Sequence, residues 1–233
     1  AFDVAAGAGG VVVAGGESAW GEVRARLWFS ADGETWETVD GGPGGPLDAT
    51  GEESVRDVAS FGEGFVAVGS TRVDNEQDGA VWYSADGKSW EQVGSPGLAG
   101  PGRQELSSVV DIGTGLVAGG YADGDGGMGV AVSWVSPDAR TWTGSAGNPL
   151  PLQERRSEGA NDMTSRSLTV DDPGILAAGG SEWRPHVWRS TDGGQTWALQ
   201  PNPVHGGLFE DGVQIEDAAG EAALPRFLAI QAA

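Results

Sequence analysis

Four times along this chain a tryptophan two residues before a serine leads into a short polar turn that closes on a second tryptophan. The copies run Trp28–Trp36, Trp82–Trp90, Trp134–Trp142 and Trp188–Trp197, with their serines at Ser30, Ser84, Ser136 and Ser190. Successive serines are 54, 52 and 54 residues apart. A fixed period of this size reduces a long chain to one small unit used several times. Two further elements keep step with it. An apolar run ends at Gly16, Ser70, Gly120 and Gly180, and an earlier run opens near Phe2, Val55, Leu106 and Ser167. Each unit therefore holds four short runs of apolar and β-branched residues between turn signals, which is how strands read. No stretch carries a sustained helical period.

Four strands in roughly 50 residues is the size of one propeller blade. A blade wedged between two neighbours is buried on both faces, so its strands lose clean alternation. Arg26-Leu-Trp-Phe29 and Ala80-Val-Trp-Tyr83 do place large apolar side chains on both faces. The expected fold is all-β: a β-propeller of four-stranded antiparallel blades, four full blades plus a partial fifth. The full blades fall at about 1–40, 54–94, 106–144 and 166–200. The partial one, 212–233, offers a first strand at Val213–Ala218 and a second at Arg226–Gln231. The chain, 1–233, reads as a single domain. A last unit that stops after two strands points to a fragment of a longer propeller.

The repeated turns resemble the Asp-box, or BNR repeat, whose pattern is Ser-x-Asp-x-Gly-x-Thr-Trp. Ser190, Asp192, Gly194, Thr196 and Trp197 follow it throughout. The sets Ser30/Asp32/Trp36, Ser84/Asp86/Trp90 and Ser136/Asp138/Trp142 are one residue shorter, and the third has Ala139 where the first two have Gly33 and Gly87. The resemblance covers nearly the whole chain. The turn chemistry supports it: Ser and Asp oxygens accept from amides that a tight turn leaves unpaired, and glycine permits positive φ. The closing tryptophan is expected to pack beneath the turn. In the family these turns lie away from ligand sites, so the resemblance makes Asp32, Asp86, Asp138 and Asp192 structural rather than catalytic.

Ligands of such propellers meet the loops that join strands two and three and the loops between blades, and irregular loops are where function concentrates. The two tryptophans outside the repeat, Trp20 and Trp183, fall in the first loop set. Arg24, Arg184 and His186 lie near them in sequence, Arg72 and Asp74 of the second unit and Tyr121 of the third fall in the same loop set, and Arg24, Arg72 and Arg184 are expected in equivalent loops. Aromatic rings flanked by charge suit a sugar or a peptide, so the expected partners are a glycan, peptide or protein ligand. Asp123 and Asp125 form a faint calcium-loop pattern that lacks a downstream glutamate at the right spacing. His186 and His205 have no third ligand at zinc spacing, and no Gly-x-Ser-x-Gly elbow is present. No cofactor is expected beyond that weak calcium candidate.

Lys plus Arg number 13 against 34 Asp plus Glu, a formal charge of −21. Such a surface repels nucleic acid and anionic membranes. Without cysteine there is no disulfide and no thiolate metal site, and no run reaches the roughly 18 apolar residues of a membrane span. Composition and resemblance together point to an exported, extracellular or cell-surface bacterial protein. Two functions compete. One is a non-enzymatic binding propeller. The other is a glycoside hydrolase, sialidase-like or using two carboxylates, since sialidases carry the same turns. A sialidase-like site needs three converging arginines and a tyrosine beside a glutamate; Tyr83 and Tyr121 are the two tyrosines.

Overall fold

The structure, a computed structural model, describes residues 2–19, 22–39, 45, 47, 53–73, 76–123, 129–144, 150–151, 164–181 and 184–200. Side chains at 17–19, 22–24, 73, 164, 181 and 184–185 lie outside that description. The strands are β1 (Asp3–Gly7), β2 (Gly10–Ala19), β3 (Glu22–Ser30), β4 (Glu37–Thr38), β5 (Ser54–Phe61), β6 (Gly64–Val73), β7 (Glu76–Ser84) and β8 (Trp90–Gln92). They continue with β9 (Gln104–Asp111), β10 (Leu116–Asp123), β11 (Gly129–Ser136), β12 (Thr143–Gly144), β13 (Thr164–Asp171), β14 (Gly174–Ser181), β15 (Arg184–Ser190) and β16 (Ala198–Leu199). One 3₁₀ turn, Pro96–Leu98, is the helical element among the described residues.

The strands form four antiparallel sheets, each pairing its members in chain order. The fold is all-β, a β-propeller of four-stranded antiparallel blades. All four sheets fall within one compact unit, residues 1–200. The strands expected at 213–218 and 226–231 lie outside the described residues. The first strands are neighbours in turn, β1 against β5, β5 against β9 and β9 against β13, so each blade stacks on the next.

Three apolar clusters fill the three junctions. Val12, Ala14, Leu27 and Phe29 of blade 1 meet Phe65, Ala67 and Trp82 of blade 2. Val66, Val68 and Val81 of blade 2 meet Leu116, Ala118, Trp134 and Ala139 of blade 3. Ala131 of blade 3 meets Ala177 and Trp188 of blade 4. Blade 2 thus buries both faces, as the loss of alternation in Ala80–Tyr83 requires. Indoles Trp134 and Trp188 donate to the carbonyls of Gly97 and Pro151 at 3.0 and 2.8 Å, satisfying polar groups that burial would otherwise strand.

Two expectations are corrected. The closing tryptophan packs where a preceding blade covers it: Trp142 is 2% exposed, whereas Trp36 is 43% exposed. Trp90, Trp142 and Trp197 do sit beneath their own turns, each indole N–H donating to a turn carbonyl at 3.1–3.2 Å, and the preceding blade completes the burial. Phe2 and Val4, which alternate with the inward Asp3 and Ala5, are 56% and 60% exposed for the same reason. Secondly, the glycine-ended runs are not in step throughout. Trp82 pairs with Ala67, Trp28 with Val13 and Trp188 with Ala177, but Trp134 pairs with Ala118. The third copy is therefore displaced by one residue, and Tyr121 rather than Gly120 corresponds to Ser70.

Candidate functional site

Antiparallel pairing puts the end of each third strand on one edge of the sheets, and the ends of the second strands with the starts of the first and third on the opposite edge. The serine–aspartate turns occupy the first edge. In each, the serine hydroxyl bonds the aspartate, at 2.9–3.4 Å. One aspartate oxygen then caps the turn, as Asp86 does with the amides of Lys88 and Ser89 at 2.8 and 2.7 Å. Amides from Thr35 and Glu34 hold the carboxyl of Asp32 down to about 2, and those of Ser89 and Lys88 do the same for Asp86. Thr141 and Arg140 lower Asp138 likewise. At Asp192 burial opposes the shift, and the Thr196 hydroxyl and amide outweigh it. Every one of these carboxylates is committed to its own turn.

The opposite edge carries a polar network between blades 2 and 3. Arg56 on β5 grips Glu105 on β9 with two bonds, Nε to Oε1 at 3.1 Å and the terminal nitrogen to Oε2 at 3.3 Å. The amide nitrogen of Gln77 on β7 lies 3.4 Å from the same Oε2, 3.1 Å from the Tyr121 hydroxyl on β10 and 3.3 Å from the Gln104 carbonyl. Its oxygen accepts from Arg72 on β6 at 3.2 Å. Arginine has no acceptor, so this bond fixes which end of the amide faces Tyr121 and Glu105. Glu105 is 15% exposed and Gln77 7%. Beside them Arg103 pairs with Asp123 at 3.3 Å. Burial, then the Glu105 charge, raises the Tyr121 phenol, while Gln77 and Arg103 offset part of the rise. Tyr121 is therefore a neutral hydroxyl that accepts from Gln77 and keeps its own proton to donate.

Backbone irregularity helps to place this network. β5, β9 and β13 each carry a bulge near the start, so that Arg56, Ser107 and Arg166 are passed over in the pairing with the next strand. A bulge re-aims a side chain, and at β5 it frees Arg56 to reach across to blade 3.

Of the residues singled out by sequence, Arg72 and Tyr121 come together through Gln77. Both lie within strands rather than loops. Arg24 and Arg184 are opposite Glu17 and Ser181 on third strands, whereas Arg72 is on a second strand, so the three arginines do not occupy equivalent positions. His186 stacks on Trp188 with ring centres 5.6 Å apart. Asp123 is engaged by Arg103. Trp20, Asp74, Asp125, Trp183 and His205 lie outside the described residues. No group of three or more metal-ligating side chains occurs among the described residues, and no helix there is long and apolar enough to cross a membrane.

Arg56, Gln77 and Glu105 had not been singled out, nor had a second feature, the half-buried pair Asp3 and Asp57. Asp57 accepts from the Val109 amide at 2.7 Å and the Val58 amide at 3.0 Å, and Asp3 reaches the same Val58 amide at 3.3 Å. Burial, then the hydrogen bond and charge of Asp3, push Asp57 up to about 8. The two carboxyls converge on that single amide, whereas the paired carboxylates of glycoside hydrolysis stand roughly 5 Å or more apart across a substrate bond.

No protein-family profile matches the chain, and no curated protein is similar to it in sequence. Solved structures do match its fold. A Bombyx mori GH32 β-fructofuranosidase mutant in complex with sucrose aligns with a TM-score of 0.54 at 12% identity, over 85% of this chain and 47% of its own. An N-acetylgalactosamine deacetylase from F. plautii in complex with blood group B trisaccharide gives 0.54 at 15%, over 84% and 67%. A Hadza microbial sialidase gives 0.54 at 16%, over 85% and 45%. The chain spans about half the length of the fructofuranosidase and the sialidase. At these identities the likeness is one of fold.

Proposed function

We propose that this protein is a ligand-binding β-propeller of the Asp-box type, taking a glycan on the edge opposite the serine–aspartate turns and performing no chemistry on it. The observation that carries the reading is the chain of polar side chains Arg72, Gln77, Tyr121, Glu105 and Arg56. Donors and acceptors alternate along it, which suits the hydroxyls of a sugar. Arg56 and Arg103 are neutralised by Glu105 and Asp123, so an anionic ligand would have to displace a carboxylate to reach them. Two of the solved structures with this fold hold sucrose and a blood group trisaccharide, which agrees with a carbohydrate ligand.

A second reading, a glycoside hydrolase, is favoured by one observation: Gln77 joins the Tyr121 hydroxyl to the Glu105 carboxylate. Its weakness is the raised phenol, since a tyrosine nucleophile wants a lowered one. One experiment separates the two. The chain is titrated against a panel of neutral and acidic oligosaccharides and incubated with chromogenic glycosides. Saturable binding of a neutral sugar, weakened at least tenfold by Gln77→Ala, without release of chromophore supports the binding reading. Turnover abolished by Tyr121→Phe or Glu105→Gln replaces it with the enzymatic one. Binding of a peptide but no sugar would leave the edge as the site and change the ligand class.

A further inference from the structure

We propose that Asp3 and Asp57 share a single proton and thereby form a pH-sensitive staple across the junction of blades 1 and 2. Both carboxyls converge on one donor, the Val58 amide, at 3.3 and 3.0 Å. Asp57 spends its other oxygen on the Val109 amide of blade 3 at 2.7 Å. Two carboxylates in contact cannot both be ionised at modest cost, so one of them keeps a proton and donates it to the other. The staple ties three successive first strands: Asp3 on β1 reaches β5, and Asp57 on β5 reaches β9.

The residues opposite the pair on the adjoining second strands carry no charge. The position opposite Asp3 on β2 is Ala14, and the one opposite Asp57 on β6 is Val68. On β9 the flanking residues are Ser108 and Val109. Arg56 is adjacent on β5, but its guanidinium is turned to Glu105 of β9. The amides of Val58 and Val109 favour the ionised form of Asp57, and burial together with Asp3 outweighs them.

The sign follows from linkage. A carboxyl raised in the folded state holds a proton that the unfolded chain has already released. The stability the pair contributes is then complete in acid and declines as pH climbs from the unfolded value of 3.8 towards about 8. One proton of difference changes the unfolding equilibrium about tenfold per pH unit across that window.

The test is urea unfolding of the full chain at pH 5 to 8 for the unaltered protein, Asp3→Asn and Glu63→Gln. Asparagine at position 3 supplies an N–H to Asp57 in place of the shared proton, so folding no longer takes up that proton and the unfolding constant should respond to pH about tenfold less per unit. Glu63→Gln removes a carboxylate from an exposed turn, leaves the pair intact and should keep the original slope. Equal slopes for Asp3→Asn and the unaltered protein overturn the proposal. A second measurement needs no variant: NMR titration of the Asp3 and Asp57 carboxyl carbons should show the pair releasing one proton well above the ordinary carboxylate range, and ordinary midpoints for both overturn the staple outright.

Discussion

At the scale of single residues, this chain drives the same side chain in opposite directions. An aspartate that faces water and accepts two amides in a turn is stabilised as an anion. An aspartate buried against another carboxyl is stabilised as an acid. Asp86 and Asp57 are 29 positions apart and illustrate the two cases, held at about 2 and about 8. The consequences for stability differ in sign. Asp32 and Asp86, lowered in the folded state, contribute stability that is complete above the unfolded value of 3.8 and disappears as pH falls through about 2. A carbon-detected NMR titration should therefore find the Asp32 and Asp86 carboxyls still ionised at pH 3, where exposed aspartates are largely protonated. Ordinary midpoints for both would mean that the turn amides do not hold these carboxylates in solution. Because both groups are open to solvent, the associated change in stability is small.

At the scale of elements, the glycine of the turn shows how one blade fastens to the previous one. Gly33 and Gly87 have the same left-handed backbone, φ 77° and 76°. A Cβ on Gly33 would meet nothing within 4 Å, whereas one on Gly87 would come within 2.6 Å of the Phe29 ring of blade 1. Ala139 holds this place in blade 3 at φ 63° and is wholly buried in the blade 2–3 cluster. The following residue adds a clamp: Lys88 lies over Phe29 and bonds Glu37, and Arg140 lies over Tyr83 and bonds Glu91. Substituting alanine at the two glycines separates backbone from packing. Gly33→Ala should cost about 1 kcal/mol, the penalty of a left-handed alanine. Gly87→Ala should cost a further ~1–3 kcal/mol for overpacking against Phe29. Chemical denaturation measures both, and equal losses would show that the turn does not act as a wedge.

These elements also mark how far the sequence can be read. The period exposed all four blades because each is built from local runs that recur. The turns were legible to the atom, since Ser, Asp and the amides they bind lie within four residues of one another. Trp36 was misjudged because its covering surface belongs to a different unit, and local sequence does not say which blade lies in front. The one-residue displacement of the third copy escaped notice because Gly119-Gly120 repeats the pattern of Gly179-Gly180 while the connections between second and third strands differ in length, so the spacing to the tryptophan fixes no register. In the candidate site Arg72 and Tyr121 were visible as unusual residues near strand ends. Arg56 and Glu105 are 49 positions apart, and Gln77 and Tyr121 44. Nothing in the neighbourhood of any one of them advertises the others; stacking of blades brings them together.

At the scale of the whole molecule, charge is the dominant unbalanced quantity. With a formal −21, the folded state compresses like charges that the unfolded chain spreads apart, and this self-repulsion opposes folding. The described ion pairs do little to offset it, because Arg56, Lys88, Arg103 and Arg140 are more than 40% exposed and Arg189 30%, where such pairs contribute about 0–1 kcal/mol. Salt acts on both effects, weakening the pairs and the repulsion alike as the screening length shrinks from about 10 Å at 0.1 M to about 3 Å at 1 M. The repulsion involves many groups at long range and the pairs only a few at short range, so the repulsion should lose more. The melting temperature is accordingly expected to rise between 0.02 and 0.5 M sodium chloride, by several degrees on the order given by about 1–2 kcal/mol of relieved repulsion. Sodium chloride is the right probe, since sulfate would also strengthen apolar burial. A fall in melting temperature over the same range would mean that the inter-blade clamps of Lys88 and Arg140, and not the net charge, govern the electrostatics of this fold.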